Sequence, residues 1–98
     1  MDLNKYPVPH PQVAARIVDD AAVIVTADLG MVDVLNAVGT RVWELMDGTR
    51  SVREIASVIE SEYEVGTDEA TRDVQELLQR LVDAQVIVLA DNRTNPLA

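Results

Sequence analysis

Histidine, serine and carboxylate side chains are what this short chain could use to make or break bonds, and their placement supports no such chemistry. His10 is the single histidine. It stands in Pro7-Val8-Pro9-His10-Pro11 with no second ligand type beside it, and the chain has no cysteine to complete a zinc set. Ser51, Ser57 and Ser61 lack a general base, because that one imidazole belongs to a proline-rich arm. Glu60, Glu62 and Glu64 crowd a helix end, which reads as a solvated face, and no acidic pair has calcium-loop or glycosidase spacing. The glycines are isolated, so there is no phosphate cradle. The chain therefore reads as non-catalytic, with no cofactor and no metal.

Binding is what remains, and charge limits the partners. Eight basic residues stand against 17 acidic ones, a net charge of −9, which argues against nucleic acid because non-specific affinity comes from Lys and Arg on phosphates. A positively charged partner surface or peptide would suit this balance, and so would simple solubility. No apolar run reaches membrane-spanning length, and Met1-Asp2-Leu3-Asn4-Lys5 lacks a basic region followed by an apolar block. With no cysteine, these features fit a cytoplasmic protein.

The elements that must position any binding surface are legible in the patterning. A 98-residue chain makes one domain, here with an extended Pro-rich arm over 1–12, a folded region over 13–90 and a frayed tail over 91–98. The arm is expected to lie over the core through Tyr6 and Val8. Val13–Val18 and Ala22–Ala27 are β-branched runs joined at Asp19-Asp20, the pattern of a hairpin. Asp28-Leu29-Gly30 is a second turn, and Met31–Leu35 a third strand. Both faces of the second strand are apolar, which makes it the central one. Val34 and Leu35 compete for the inward face of the third strand, and patterning leaves that open.

Asn36 then caps a first helix. Val38, Val42, Leu45 and Met46 recur along it beside Trp43, while Thr40, Arg41, Glu44 and Asp47 form a narrow polar strip and Gly48 takes the left-handed position after it. Helix one, apolar over most of its girth, is the hub. Ser51 and Glu54 have capping-box spacing at the start of a second helix with the inward stripe Val52, Ile55, Ala56, Ile59 and Tyr63. Thr67 caps a third, whose stripe is Ala70, Val74, Leu77, Leu78 and Leu81. Val86–Leu89 closes as a short extended segment. The fold class is α+β and winged-helix-like: a three-stranded antiparallel sheet, then three helices in helix-turn-helix order.

A winged helix invites the thought of DNA, but Thr67–Arg80 carries two Arg against four acids, which would repel phosphate. An acidic transcription regulator is thus the weaker reading. An open sheet edge offers another use, because unpaired backbone groups are a template for an added strand. The third strand and third helix together would form a groove. The same edge could equally be covered by the amino-terminal arm or by a second copy, so the chain could be a monomer or a self-associating homodimer.

The ordered series Leu35-Asn36, Gly39, Val42-Trp43, Leu45-Met46, Asp47-Gly48, Ser51-Val52, Glu54-Ile55-Ala56, Tyr63, Val65, Asp73-Val74, Leu77-Leu78, Leu81 and Val86 resembles the PqqD family. These are small peptide chaperones of pyrroloquinoline quinone biosynthesis, and their domain recurs as the recognition element of many pathways to ribosomally made, modified peptides. The family usually has Gly near Gln85, where it ends the third helix, so Gln there makes a left-handed cap costlier. The resemblance implies a non-catalytic adaptor. It would hold the leader of a precursor peptide as an extra strand on Met31, Val32, Asp33, Val34 and Leu35, beside the third helix. It would then present that leader to a modifying enzyme, a radical S-adenosylmethionine protein or, in lasso-peptide pathways, a leader peptidase. Asp73, Leu77, Arg80 and Ala84 share one flank of that helix and are the expected groove wall, with Leu77 meeting an apolar anchor and Arg80 an acidic residue of the leader.

Overall fold

In the computed structural model, which describes residues 1–26 and 31–94, the proline-rich arm is itself a strand. β1 (Tyr6–Pro9) pairs antiparallel with β5 (Ile87–Ala90), Tyr6 opposite Ala90 and Val8 opposite Val88. His10 extends that ladder by donating its N–H to the Val86 carbonyl at 2.8 Å. Residues 6, 8 and 10 thus carry the inter-strand bonds. Pro7 and Pro9 fall at the intervening positions, where the backbone nitrogen faces away and its missing proton costs no bond. Pro7 is fully buried, so the arm is tied to the closing strand at the far end of the chain.

β2 (Val13–Val18), β3 (Ala21–Thr26) and β4 (Met31–Val34) form a separate antiparallel sheet in the order β2-β3-β4. The hairpin between β2 and β3 turns at Asp19 and Asp20 with φ of 51° and 65°. Two successive left-handed residues match the twist of the flanking strands, and Asp tolerates that region better than most side chains. β3 is central, with Ala22 and Ile24 buried against the helices. β2 overhangs them and is exposed along nearly its whole length. The expected turn at Asp28-Leu29-Gly30 lies outside the described residues.

α1 (Ala37–Leu45) packs on β3, while α2 (Val52–Tyr63) and α3 (Thr67–Asp83) pack on α1 and on each other. Asn36 Oδ1 accepts from the Gly39 N–H at 2.8 Å, the expected N-cap. The Ser51–Glu54 capping box is complete in both directions, at 3.1 and 3.0 Å. The core is Val42, Leu45, Met46, Val52, Ile55, Ile59, Val74, Leu78 and Leu81, closed by Val86 and Ile87. Arg41 of α1 clamps Glu62 of α2 with two bonds of 2.8 and 2.9 Å, and that contact holds the Glu62 carboxyl below its usual range. Trp43 packs on the core but remains partly exposed.

α3 ends in a Schellman motif. The Gln85 N–H donates to the Val82 carbonyl at 3.0 Å and the Val86 N–H to the Leu81 carbonyl at 2.9 Å. Gln85 has φ of 62°, so the chain accepts a left-handed glutamine where glycine would be unstrained.

Several local expectations are corrected. Thr40 is not on a polar strip but buried; its hydroxyl accepts from the Ala22 N–H at 2.9 Å and donates to the Leu35 carbonyl at 3.3 Å. Long-range pairing to two strands outweighed its polarity. Tyr63 lies outside the core because α2 ends there, and its hydroxyl donates to the Ala37 carbonyl at 3.4 Å. Gly66, not Thr67, is the N-cap of α3; the Thr67 hydroxyl donates instead to Glu60 at 2.7 Å. Gly48 does have positive φ, 83°, but α1 stops at Leu45 and Met46 caps it. Both that backbone angle and crowding require glycine there, since a Cβ would collide with Thr94 and press on Val8. The tail is tied down as far as Thr94, whose N–H donates to the Gly48 carbonyl at 2.8 Å, while Asp91 pairs with Lys5 and Arg93 with Glu54.

Candidate functional groove

β4 has one ladder and one open side. The Leu35 N–H donates to the Ala22 carbonyl at 2.9 Å, and the register places Val34 opposite Val23, Asp33 opposite Ile24 and Val32 opposite Val25. Hydrogen-bonded pairs alternate along an antiparallel ladder. Asp33 and Leu35 therefore direct their backbone groups to β3, whereas Val32 and Val34 direct theirs outward. Among the described residues no strand meets that outward edge, because the amino-terminal arm is engaged with β5. The three-stranded sheet thus has a free edge beside a helix.

The competition for the inward face is also decided. Leu35 is 3% exposed and Asp33 half-buried on the helix side, while Val32 and Val34 are 63% and 62% exposed on the other. Thr40 fixes this arrangement by bonding both the Ala22 amide and the Leu35 carbonyl. The hub helix therefore sets the height of the edge strand.

Between β4 and α3 runs an open cleft of ≈ 550 Å³, within the range of small-ligand and peptide pockets. Its floor is Leu35, Val38, Gly39, Val42 and Val74; its walls are Val34 and Asn36 on one side and Asp73, Glu76, Leu77 and Arg80 on the other. Gly39 brings α1 close beneath the cleft: a Cβ there would sit 3.2 Å from Leu35 and 3.5 Å from Leu77. At one end the Arg80 guanidinium reaches Asp33 at 3.3 Å, joining helix to strand. At the other, Asp73 lies 3.7 Å from Arg72, both well exposed.

Of the residues expected at a groove, Val34, Leu35, Asp73, Leu77 and Arg80 line one cleft, and Asp33 meets it through Arg80. Val32 lies on the opposite face of the sheet, and Met31 supplies backbone pairing to Thr26. Ala84 is not brought in: it caps the end of α3, its N–H bonded to the Arg80 carbonyl, and packs on the core. Leu77 is half-buried at the groove wall and stands apart from the wholly buried Val74, Leu78 and Leu81. Glu76 was missed, although Asp73, Glu76 and Arg80 sit at i, i+3 and i+7, the spacing of one helical face. Asn36, Val38 and Val42 were read only as cap and core, because nothing local reveals that their outer atoms border an open space.

The polar groups of the groove are exposed carboxylates, a paired guanidinium and an amide engaged as a cap. Among the described residues no three His, Cys, Asp or Glu side chains converge as a metal set, and no helix is long and apolar enough to cross a membrane.

Residues 21–87 match the family model described as coenzyme PQQ synthesis protein D (PqqD). Two solved structures share the fold. One, "TbiB1 in Complex with the TbiA(beta) Leader Peptide", is 28% identical with a TM-score of 0.76, covering 82% of this chain and 93% of that one. The other, "Lasso peptide synthetase B1 complexed with the leader peptide", is 22% identical with a TM-score of 0.76, covering 84% and 96%. No curated protein sequence matches.

Proposed function

The chain belongs to the PqqD family, and from that premise we propose that it is a non-catalytic adaptor that binds the leader of a ribosomally made precursor peptide. The leader adds as a strand along the outward backbone groups of Val32 and Val34, and its alternate side chains fall into the cleft beside Leu77. The observation that carries this reading is the unpaired β4 edge facing an apolar-floored cleft. Main-chain bonds supply affinity without regard to sequence, and the cleft supplies selectivity.

The adaptor hands the bound leader to a modifying enzyme. The likeness to the two leader-peptide complexes favours a lasso-type pathway, in which that enzyme is a leader peptidase; a radical S-adenosylmethionine enzyme is the counterpart in quinone-type pathways. A cytoplasmic setting follows from that work, since precursor peptides are modified where they are translated.

The test requires a precursor peptide, to be sought as a short reading frame beside the gene. Its synthetic leader, titrated into the protein with calorimetric or fluorescence readout, binds one to one. The Val34→Pro protein, which lacks one outward N–H, does not bind it. Equal affinity of both proteins for the leader would exclude strand addition at β4.

A further inference from the structure

The groove carries information about which peptide it accepts, and this inference rests on the strand-addition reading above. Three stations lie along it. At the first, Asp33 and Arg80 face each other at 3.3 Å, so the guanidinium is already neutralised. At the second, Leu35 and Leu77 converge over Gly39. At the third stands Asp73, with Glu76 on the wall between it and Leu77.

The charge at the third station is negative by count. Two full carboxylates outweigh the roughly half positive charge of the nearby α1 N-terminus, whose first turn is in any case capped by Asn36. Arg72 lies 3.7 Å from Asp73 as an exposed and screened pair, and with Arg72 counted the two carboxylates still leave a net negative charge. An acidic side chain entering the groove would therefore meet no free cation at the first station and two carboxylates at the third. A basic one would meet complementary charge.

Spacing turns this into a register. Leu77 and Asp73 are one helical turn apart, about 6 Å along α3. Two residues of an extended strand cover about 6.6 Å, and residues two apart face the same side. We infer that this groove selects a strand carrying a large apolar residue with a lysine or arginine two positions away from it, the apolar side chain seated at Leu35 and Leu77 and the basic one at Asp73 and Glu76. These two carboxylates are specificity-determining residues, and the expected acid-seeking role of Arg80 is replaced by its internal pairing with Asp33.

The test is selection of a displayed random-peptide library on the intact protein and on the Asp73→Asn, Glu76→Gln double variant. Both positions are exposed, and circular dichroism checks that the variant is folded. The wild-type protein enriches an apolar residue with Lys or Arg two positions away, and the variant retains the apolar preference but loses the basic one. The most enriched peptide, resynthesised with Gln in place of its basic residue, binds the wild type about fivefold more weakly at low salt, and the difference shrinks as salt is added. Enrichment of the apolar residue alone, or a basic preference that survives in the variant, overturns the register while leaving peptide binding intact. Failure to enrich any peptide overturns both.

Discussion

Arg80 of α3 and Asp33 of β4 are bound to each other, Nη2 to Oδ2 at 3.3 Å, across the mouth of the groove. The contact joins the two walls between which a peptide would lie. With 59% and 38% of the side chains exposed, it belongs to the class of surface pairs worth about 0.2–1 kcal/mol. A urea-denaturation cycle with Asp33→Asn, Arg80→Gln and the double variant gives a coupling in that range, diminishing with salt. A coupling above about 2 kcal/mol would mean the pair is a structural strut rather than a neutralised rim.

The two faces of β4 backbone make opposite demands on proline. Val34→Pro removes an N–H that no strand among the described residues uses, so leader binding is lost while the circular dichroism spectrum is kept. Asp33→Pro removes a bond to β3 and destabilises the sheet. If both substitutions damage the fold equally, the assignment of inward and outward backbone groups is wrong.

Leu77 and Leu78 are neighbours in sequence with separate duties. Leu78 is wholly buried, and Leu78→Ala costs about 2–5 kcal/mol of stability. Leu77 lines the cleft, so Leu77→Ala costs less than half as much but weakens leader binding at least tenfold. Calorimetric titration together with urea midpoints separates the two; a Leu77→Ala protein with native affinity would remove the apolar anchor from the groove.

Gln85 holds a left-handed conformation at φ of 62°. Gln85→Gly relieves about 1 kcal/mol of backbone strain, less the entropy glycine brings to the unfolded chain. A thermal melt shows the midpoint rising by a few degrees for a domain of this size. A lowered midpoint would show that the glutamine side chain contributes more than its backbone costs.

The capping box makes stability depend on acid. The Ser51 backbone N–H donates to Glu54, and this bond, assisted by the Ser51 hydroxyl and by Arg93 and Arg50 against a modest desolvation, holds the Glu54 carboxyl below its ordinary range. The hydroxyl and amide of Thr49 do the same for Asp47. A carboxyl depressed in the folded state stabilises it above the unfolded pKa, and that contribution disappears as pH falls through the lowered value. Urea midpoints therefore decline below about pH 4, the ordinary carboxylate range. Glu54→Gln, which keeps the reciprocal bond without titrating, flattens the decline; an unchanged acid profile in that variant would assign the effect to other carboxylates.

What the linear chain determined is local. The Asn36 cap, the Ser51–Glu54 box, the hairpin at Asp19-Asp20 and the buried stripe of α3 were readable because each signal and its partner lie within a few residues of one another. The single imidazole and the absence of thiols were equally readable, being matters of composition. Only the tertiary structure decided that the arm pairs with β5 and not with β4, that Thr40 turns inward to hold two strands, and that Arg80 is matched by Asp33 while Ala84 lies outside the cleft. Each of these depends on which distant backbone or charge a residue meets. Such contacts are fixed by packing over tens of residues, and periodicity within one helix or strand carries no record of them.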